Sequence, residues 1–394
     1  MITQRESGTP HPIESQQRSG PLTAFRILEL AGIGPVPFCG MLLSDLGAEV
    51  IRVDRAADAG VKTPTSATLG RGRRSIAIDL KNPDGVALLL RLAGRADALL
   101  EGFRPGVAER LGFGPEICLA RKRRLVYGRM TGYGQTGPWA KMAGHDVNYI
   151  ALSGALAAIG RAGQAPALPL NLVGDFGGGG MLLVIGVLAA LIERERSGEG
   201  QVVDAAMVDG TALLMTMFHG MAALGLWSDR RQDNLLDGAA PFYRCYRTAD
   251  DRFVAVGALE PQFYAALVEG LGLAGEDLPG QYDRSGWATL ERRFAEAFAT
   301  RTRDEWAGHF AGTDACVVPV LTITEAPTNP HLAERGTFVS VGGVVQVAPA
   351  PRFSRSAAAT PTPPRAAGAA EVLAGLGYGR AEIDGLLSPP PHPA

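Results

Sequence analysis

The sequence predicts an α/β protein built on a parallel sheet, followed by a smaller α+β unit. Three observations carry the prediction. Short apolar runs alternate with segments of helical spacing from Phe25 onward, glycines and prolines punctuate the junctions, and the composition turns polar just after Trp227. A strand, a helix and a second strand in succession make a βαβ unit, whose crossover is right-handed and whose strands pair in parallel.

The elements follow in order. Residues 26–30 read as a buried strand, Gly32-Ile33-Gly34-Pro35 as a turn, 38–46 as a helix closed by Gly47, and 49–53 as the next strand. A short strand is expected over 75–80. Asn82-Pro83-Asp84 then caps a helix over 85–93, with the proline placed early, where its missing N–H costs little. Residues 98–101 and 125–130 read as further strands, the second ending at Thr131-Gly132-Tyr133-Gly134. A helix over 180–196 leads through Ser197-Gly198-Glu199-Gly200 to Gln201-Val202-Val203-Asp204, and the apolar stretch 207–226 reads as helical. The polar segment 228–237 reads as a linker or exposed loop. Beyond it, 253–257 and 316–320 read as strands, and 261–271 and 287–300 carry helical spacing. The segment 357–370, rich in Ala, Pro and Thr, is expected to drape over a surface.

Composition narrows the function. The 394 residues carry 38 basic and 40 acidic side chains, a net charge of −2, so no global basicity points to nucleic acid. The four cysteines, Cys39, Cys118, Cys245 and Cys316, are scattered and form no CxxC pair, which disfavours a zinc or redox motif and fits reduced thiols in a cytoplasmic protein. Residues 1–20 are polar, unlike a secretory signal, and read as a disordered lead-in. The longest apolar run, 181–192, is interrupted by Gly186 and ended by Glu193-Arg194-Glu195-Arg196. It falls short of the ~20 residues a membrane span needs, so a buried helix and no membrane are expected. With neither a GxGxxG fingerprint nor a Walker lysine loop, nicotinamide and ATP chemistry are disfavoured.

The chemistry concentrates in Gly144-His145-Asp146-Val147-Asn148-Tyr149 and in Val173-Gly174-Asp175-Phe176. An imidazole and a carboxylate each stand beside a glycine, where backbone approaches a ligand closely. One can address each face of a single carbon, which suggests proton transfer at carbon. Both segments also read as plain helix starts, with Asp146, Asn148 or Asp175 as caps, and a helix start offers free N–H groups to an anion. Gly177 to Gly180 are poor helix formers whose missing side chains admit a neighbouring helix or a ligand. Glu260, shortly after a strand, reads by itself as a solvated carboxylate or a helix starter. Arg71, Arg73, Arg74 and Lys81 cluster near a strand, with Arg55, Arg104 and Arg110 near other strand ends, where arginines suit phosphates or remain solvated charge. Arg121-Lys122-Arg123-Arg124 reads as solvated charge.

From about residue 21 to 355 the chain resembles the class III (CaiB/BaiF-type) CoA-transferases, and within them the α-methylacyl-CoA racemase branch. The likeness is carried by Glu29-Leu30-Ala31-Gly32-Ile33-Gly34-Pro35, Asp45-Leu46-Gly47-Ala48-Glu49-Val50, Glu101-Gly102-Phe103-Arg104-Pro105-Gly106 and Met130-Thr131-Gly132-Tyr133-Gly134-Gln135. It continues through the His145 and Asp175 segments, Gly200-Gln201-Val202-Val203-Asp204 and Pro349-Ala350-Pro351-Arg352-Phe353-Ser354. The resemblance implies an interlocked homodimer with a Rossmann-like large domain and a site between one subunit's large domain and the other's small domain. The division it implies is an extension, 1–20, a large domain over 21–227, a small α+β domain over 228–330, and a return segment and tail over 331–394 that pack on the large domain.

The racemase branch carries a histidine at the position of His145 and a glutamate at that of Glu260, so the resemblance implies a two-base racemase of 2-methylacyl-CoA or 2-arylpropionyl-CoA thioesters. His145 and Asp175 would be the bases, Glu260 would hold the imidazole from across the dimer, and the Asp146 N–H would meet the enolate oxygen. Such donors are worth about 3–4 kcal/mol. Arg55, Ile78, Asp79, Leu80, Lys81, Gly102, Phe103, Arg104 and Arg110 resemble coenzyme A-binding positions, with Gly144, Val147, Asn148 and Tyr149 lining the site. The acyl pocket is expected to draw on 207–226 and 239–246. No cofactor is implied beyond the substrate's own coenzyme A, and no metal. Two other readings stay open: a CoA-transferase with Asp175 as nucleophile, and a protein that binds CoA thioesters without turnover.

Overall fold

A computed structural model of the chain describes residues 18–55 and 64–387, so the expected N-terminal extension falls outside it except for its last three residues. The first six strands are β1 (Arg26–Leu30), β2 (Glu49–Arg55), β3 (Arg74–Ile78), β4 (Ala98–Glu101), β5 (Val126–Thr131) and β6 (Val202–Ala206). They are followed by β7 (Tyr243–Arg247), β8 (Phe253–Gly257), β9 (Val317–Pro319), β10 (Phe338–Val341), β11 (Val344–Val347) and β12 (Arg365–Ala366). Seven of them form one sheet in the order β12-β3-β2-β1-β4-β5-β6, with every pairing parallel. Burial along nearly their whole length explains the largely apolar runs of β1, β4 and β5. The strand order reverses between β1 and β4, which opens a crevice at their carboxyl ends.

The helices lie where the spacing put them, with boundary shifts that have causes. The first runs Pro35–Asp45, three residues earlier than expected, because Pro35 takes the first helical position and Gly34 turns the chain at φ 68°. The third runs Pro83–Arg95, with the Asn82 side chain accepting the Asp84 N–H. The expected helix over 180–196 becomes a longer continuous one, Leu172–Ser197, whose first ten residues are π-helical. Asp175 therefore sits inside this segment rather than capping it. The glycines serve helix packing: a Cβ on Gly178 would lie 2.7 Å from the Thr211 nitrogen, and one on Gly210 would strike the Gly178 carbonyl. By length and composition Leu172–Ser197 is apolar enough to cross a membrane. In the fold it is a core helix, with Leu183 and Val187 against β5 at Gly128.

The apolar stretch 207–226 forms two helices, Met207–Leu214 and Thr216–Ala223. The second buries none of its residues within the chain.

The later unit is an antiparallel sheet, β7-β8-β9, packed through Phe242, Phe294, Phe298 and Trp306 against the helices Pro261–Gly270, Trp287–Phe298 and Arg303–His309. The chain then returns to the large sheet. The β10–β11 hairpin is clasped by Arg71, which donates to the Val347 carbonyl (2.6 Å) and to Gln346 while holding both Asp45 oxygens. Next, β12 pairs with β3, and Val372, Leu373, Leu376 and Ile383 enter the core beneath it.

These contacts correct one reading of the basic cluster. Arg71 and Arg73 are buried against Asp45 and Glu29, and Arg74 pairs with Glu49. All three are structural ion pairs, because a guanidinium inside a sheet layer is held only by a carboxylate partner. Lys81 alone of that cluster stays exposed.

Candidate active site

After β5 the chain runs through a segment braced by aromatic rings. Tyr133 packs edge-on to Trp139 at 5.6 Å and to Tyr149 at 5.0 Å. Gly132 and Gly144 press on the Tyr149 ring, where a Cβ on Gly144 would lie 2.8 Å away and one on Gly132 would overlap it. This wedge fixes the approach to His145, which has extended backbone and is the residue just before the helix Asp146–Leu152. His145 is exposed, and its backbone N–H donates to Asn148 Oδ1 at 3.0 Å. The first helical N–H, that of Asp146, has no intrahelical acceptor.

Asp175 meets this helix from the neighbouring one. Its N–H donates to Asp146 Oδ1 at 2.6 Å, and its Oδ2 accepts from Asn171 Nδ2 at 3.1 Å. The same Oδ2 lies 2.8 Å from where a Cβ on Gly34 would stand, so the β1 loop touches the carboxylate only because Gly34 has no side chain. Partial burial raises the Asp175 carboxyl above the usual carboxylate range; the Asn171 hydrogen bond opposes the rise, the Asp146 charge adds to it and His145 opposes it. Burial pushes the Tyr149 phenol up to about 12, with Tyr133 and Asp175 adding and Arg104 opposing. His145, Asp146, Asp175, Tyr149 and Arg104 thus form one neighbourhood at the switch point. Asn171 and the Asp146 carboxylate were missed in sequence. Asn171 stands four residues before Asp175, one helical turn, which is the signal that could have found it.

The expected coenzyme A-binding residues gather at strand ends. Arg55 ends β2, and Asp79 and Lys81 follow β3, with Asp79 Oδ1 accepting the Lys81 N–H at 3.0 Å. Gly102, Arg104 and Arg110 follow β4 and are exposed. The Ile78 side chain is buried in the core, so only its backbone is offered there. Leu80 and Phe103 pack partly against the same core, Phe103 at 6.0 Å from Phe113. The Phe103 N–H is held by buried Glu101 (2.6 Å), which is itself braced by Arg129 at 2.8 Å. Val147 is exposed, and the Asn148 amide is occupied by the His145 N–H.

Glu260 stands apart. It is exposed just before the helix Pro261–Gly270, beside Cys316, and no hydrogen bond or ion pair joins it to His145 among the described residues. Near it a cavity of about 920 Å³ opens over the β7-β8-β9 sheet, lined by Ala239, Tyr243, Cys245, Ala255, Gly257 and Cys316. In the stretch 207–226 expected to line the acyl pocket, Met207 is core and Met217 is exposed. Among the described residues no cluster of three or more His, Cys, Asp or Glu is arranged to hold a metal ion.

A doubly wound parallel sheet, with an imidazole and a partly buried carboxylate at its switch point, defines an α/β enzyme scaffold suited to acid–base chemistry. The chain belongs to CoA-transferase family III, whose family model matches residues 22–369. It is 49% identical to the α-methylacyl-CoA racemase of Mus musculus over 366 residues, covering 92% of this chain and 95% of that protein. It is 50% identical to the α-methylacyl-CoA racemase of Homo sapiens over 319 residues, covering 81% and 82% respectively. The crystal structure of a CAIB/BAIF family protein from Brucella suis superposes with a TM-score of 0.79 at 25% identity, covering 93% of this chain and all of that one.

Proposed function

We propose that the chain is an isomerase that interconverts the (R) and (S) forms of 2-methylacyl-CoA thioesters by two-base proton transfer. The observation that carries this reading is the hydrogen bond from the Asp175 N–H to Asp146, which holds a raised-pKa carboxyl against the residue next to His145. The thioester carbonyl acidifies the α-carbon. His145 removes the α-proton from one face, and the enolate oxygen takes the free Asp146 N–H. Protonated Asp175 then delivers a proton to the opposite face, and the roles reverse for the other enantiomer. Arg55, Lys81, Arg104 and Arg110 supply cations for the coenzyme A phosphates. The scheme uses no cofactor beyond the coenzyme A of the substrate.

The site is completed in an interlocked homodimer of large and small domains. Among the described residues no hydrogen bond or ion pair joins Glu260 to His145, and the helix Thr216–Ala223 leaves apolar side chains, Met217 among them, uncovered. A second copy covers that face and brings its Glu260 to the imidazole, whose tautomer it holds.

A CoA-transferase would instead need Asp175 ionised as a nucleophile. Incubation of (S)- or (R)-2-methylacyl-CoA in deuterated water, followed by chiral analysis, tests the reading. Wild-type protein is expected to incorporate α-deuterium as it racemises, and His145→Ala to lose racemisation. A His145→Ala protein that racemises at the wild-type rate would sink the assignment. Hydroxylamine trapping of Asp175 as a hydroxamate would install the transferase in its place.

A further inference from the structure

We infer that the Asp146 carboxylate is a positioning residue that sets the spacing between the two bases. The inference rests on the racemase reading and goes beyond the Asp146 N–H. Asp146 is only 7% exposed, and its carboxylate points away from solvent, toward the π-helical segment. Oδ1 accepts the Asp175 N–H at 2.6 Å, and Oδ2 is buried with no hydrogen-bond partner among the described residues. An ordinary helix start keeps its carboxylate in water, where desolvation costs nothing. Here a charge is withdrawn from water to hold one backbone N–H, and that N–H belongs to the second base.

The geometry makes Asp146 a spacer. On one side it is covalently next to His145, so the two Cα atoms are ~3.8 Å apart. Its helix is anchored by buried Tyr149 and Ile150. On the other side it carries the Asp175 backbone. Gly174 is the matching half: a Cβ there would collide with Asp146 Oδ1 and approach Ile150 Cγ2 to 3.1 Å. Two-base inversion needs both groups to reach one carbon from opposite faces, and a misplacement of ~1 Å costs on the order of 100-fold. Exchange at one face needs a single base. Loosening the spacer therefore separates the two events.

The test compares α-deuterium exchange with inversion in the full-length protein, using one enantiomer of a 2-methylacyl-CoA. Asp146→Ala removes the acceptor and Gly174→Ala pushes it away without touching charge. Each is expected to raise the ratio of exchange with retention to inversion by about tenfold or more. Asp146→Asn keeps an oxygen acceptor and is expected to hold the wild-type ratio. The groups facing Asp175 are Asn171 on its own segment and His145, Asp146 and Tyr149 from the neighbouring helix. Removing the Asp146 charge therefore moves the Asp175 limb of the pH–rate profile to lower pH. A merely structural role would lower thermal stability and leave ratio and pH limb unchanged. A wild-type ratio in both Asp146→Ala and Gly174→Ala, with wild type active, overturns the inference alone. Wild-type protein that neither exchanges nor inverts overturns the racemase reading and this inference with it.

Discussion

Asp175 carries a stability cost that comes from its partial burial. Its carboxyl is raised by burial, so the folded state favours the protonated form. That contribution to stability is whole below the unfolded value, near ~3.9, and is lost as pH rises through the raised folded value. Above that window the fold holds a charge it would shed. Asp175→Asn is expected to melt at or above the wild-type temperature at pH 7 to 8, to lose that advantage near pH 4, and to abolish racemisation. Melting curves across that range check it, and a deficit equal at every pH would refute the desolvation account. His145 and Asp175 were legible as residue types beside glycines. Asn171 and the Asp146 carboxylate were not, because their roles depend on where the side chains of a folded helix pair point.

Among the elements, the glycine run shows how one sequence feature admits two uses. Gly177 to Gly180 allowed either a ligand or a helix to approach, and the helix Met207–Leu214 takes the space, with Gly178 against Gly210 and Thr211. Gly210→Ala would drive a methyl group into the Gly178 carbonyl, and neither partner is a flexible side chain that can yield. The expected cost is about 1–3 kcal/mol in urea unfolding, the range for overpacking a tight contact. A change below ~0.5 kcal/mol would mean that the crossing relaxes freely. Strands β1, β4 and β5 were legible because nearly every position in them is buried, and β2 and β3 because their apolar residues fall at regular positions between polar ones. The β10–β11 hairpin, with Gly342-Gly343 at its turn, carried a readable signal of alternation that went unread. The two-residue β12 is too short for any pattern, and only its pairing with β3 defines it.

At the level of the whole molecule, no hydrogen bond or ion pair joins Glu260 to His145 among the described residues, and Thr216–Ala223 is left without a buried residue. If the second copy supplies Glu260, two inactive variants complement each other. Co-expression of His145→Ala with Glu260→Ala is expected to yield heterodimers that racemise, since one site then holds both native residues. Each variant expressed alone is expected to be inactive or nearly so. Absence of activity in purified heterodimers would place Glu260 with its own chain's histidine, and a Glu260→Ala protein as active as wild type would place it outside the chemistry.

The sequence by itself determined the alternation of strands and helices, the parallel sheet, the His145 and Asp175 segments as the candidate site and the family the chain belongs to, because periodicity, caps and motifs are local and survive without coordinates. Only the tertiary structure decided which charges work and which merely hold. It buried Arg71 and Arg73 as clasps, left Lys81 and Arg104 free at strand ends, and gave Asp146 a partner 29 residues away. The physical reason is that a charged side chain takes its meaning from its distance to water and to an opposite charge. Both distances are fixed only when segments far apart in the chain are packed together.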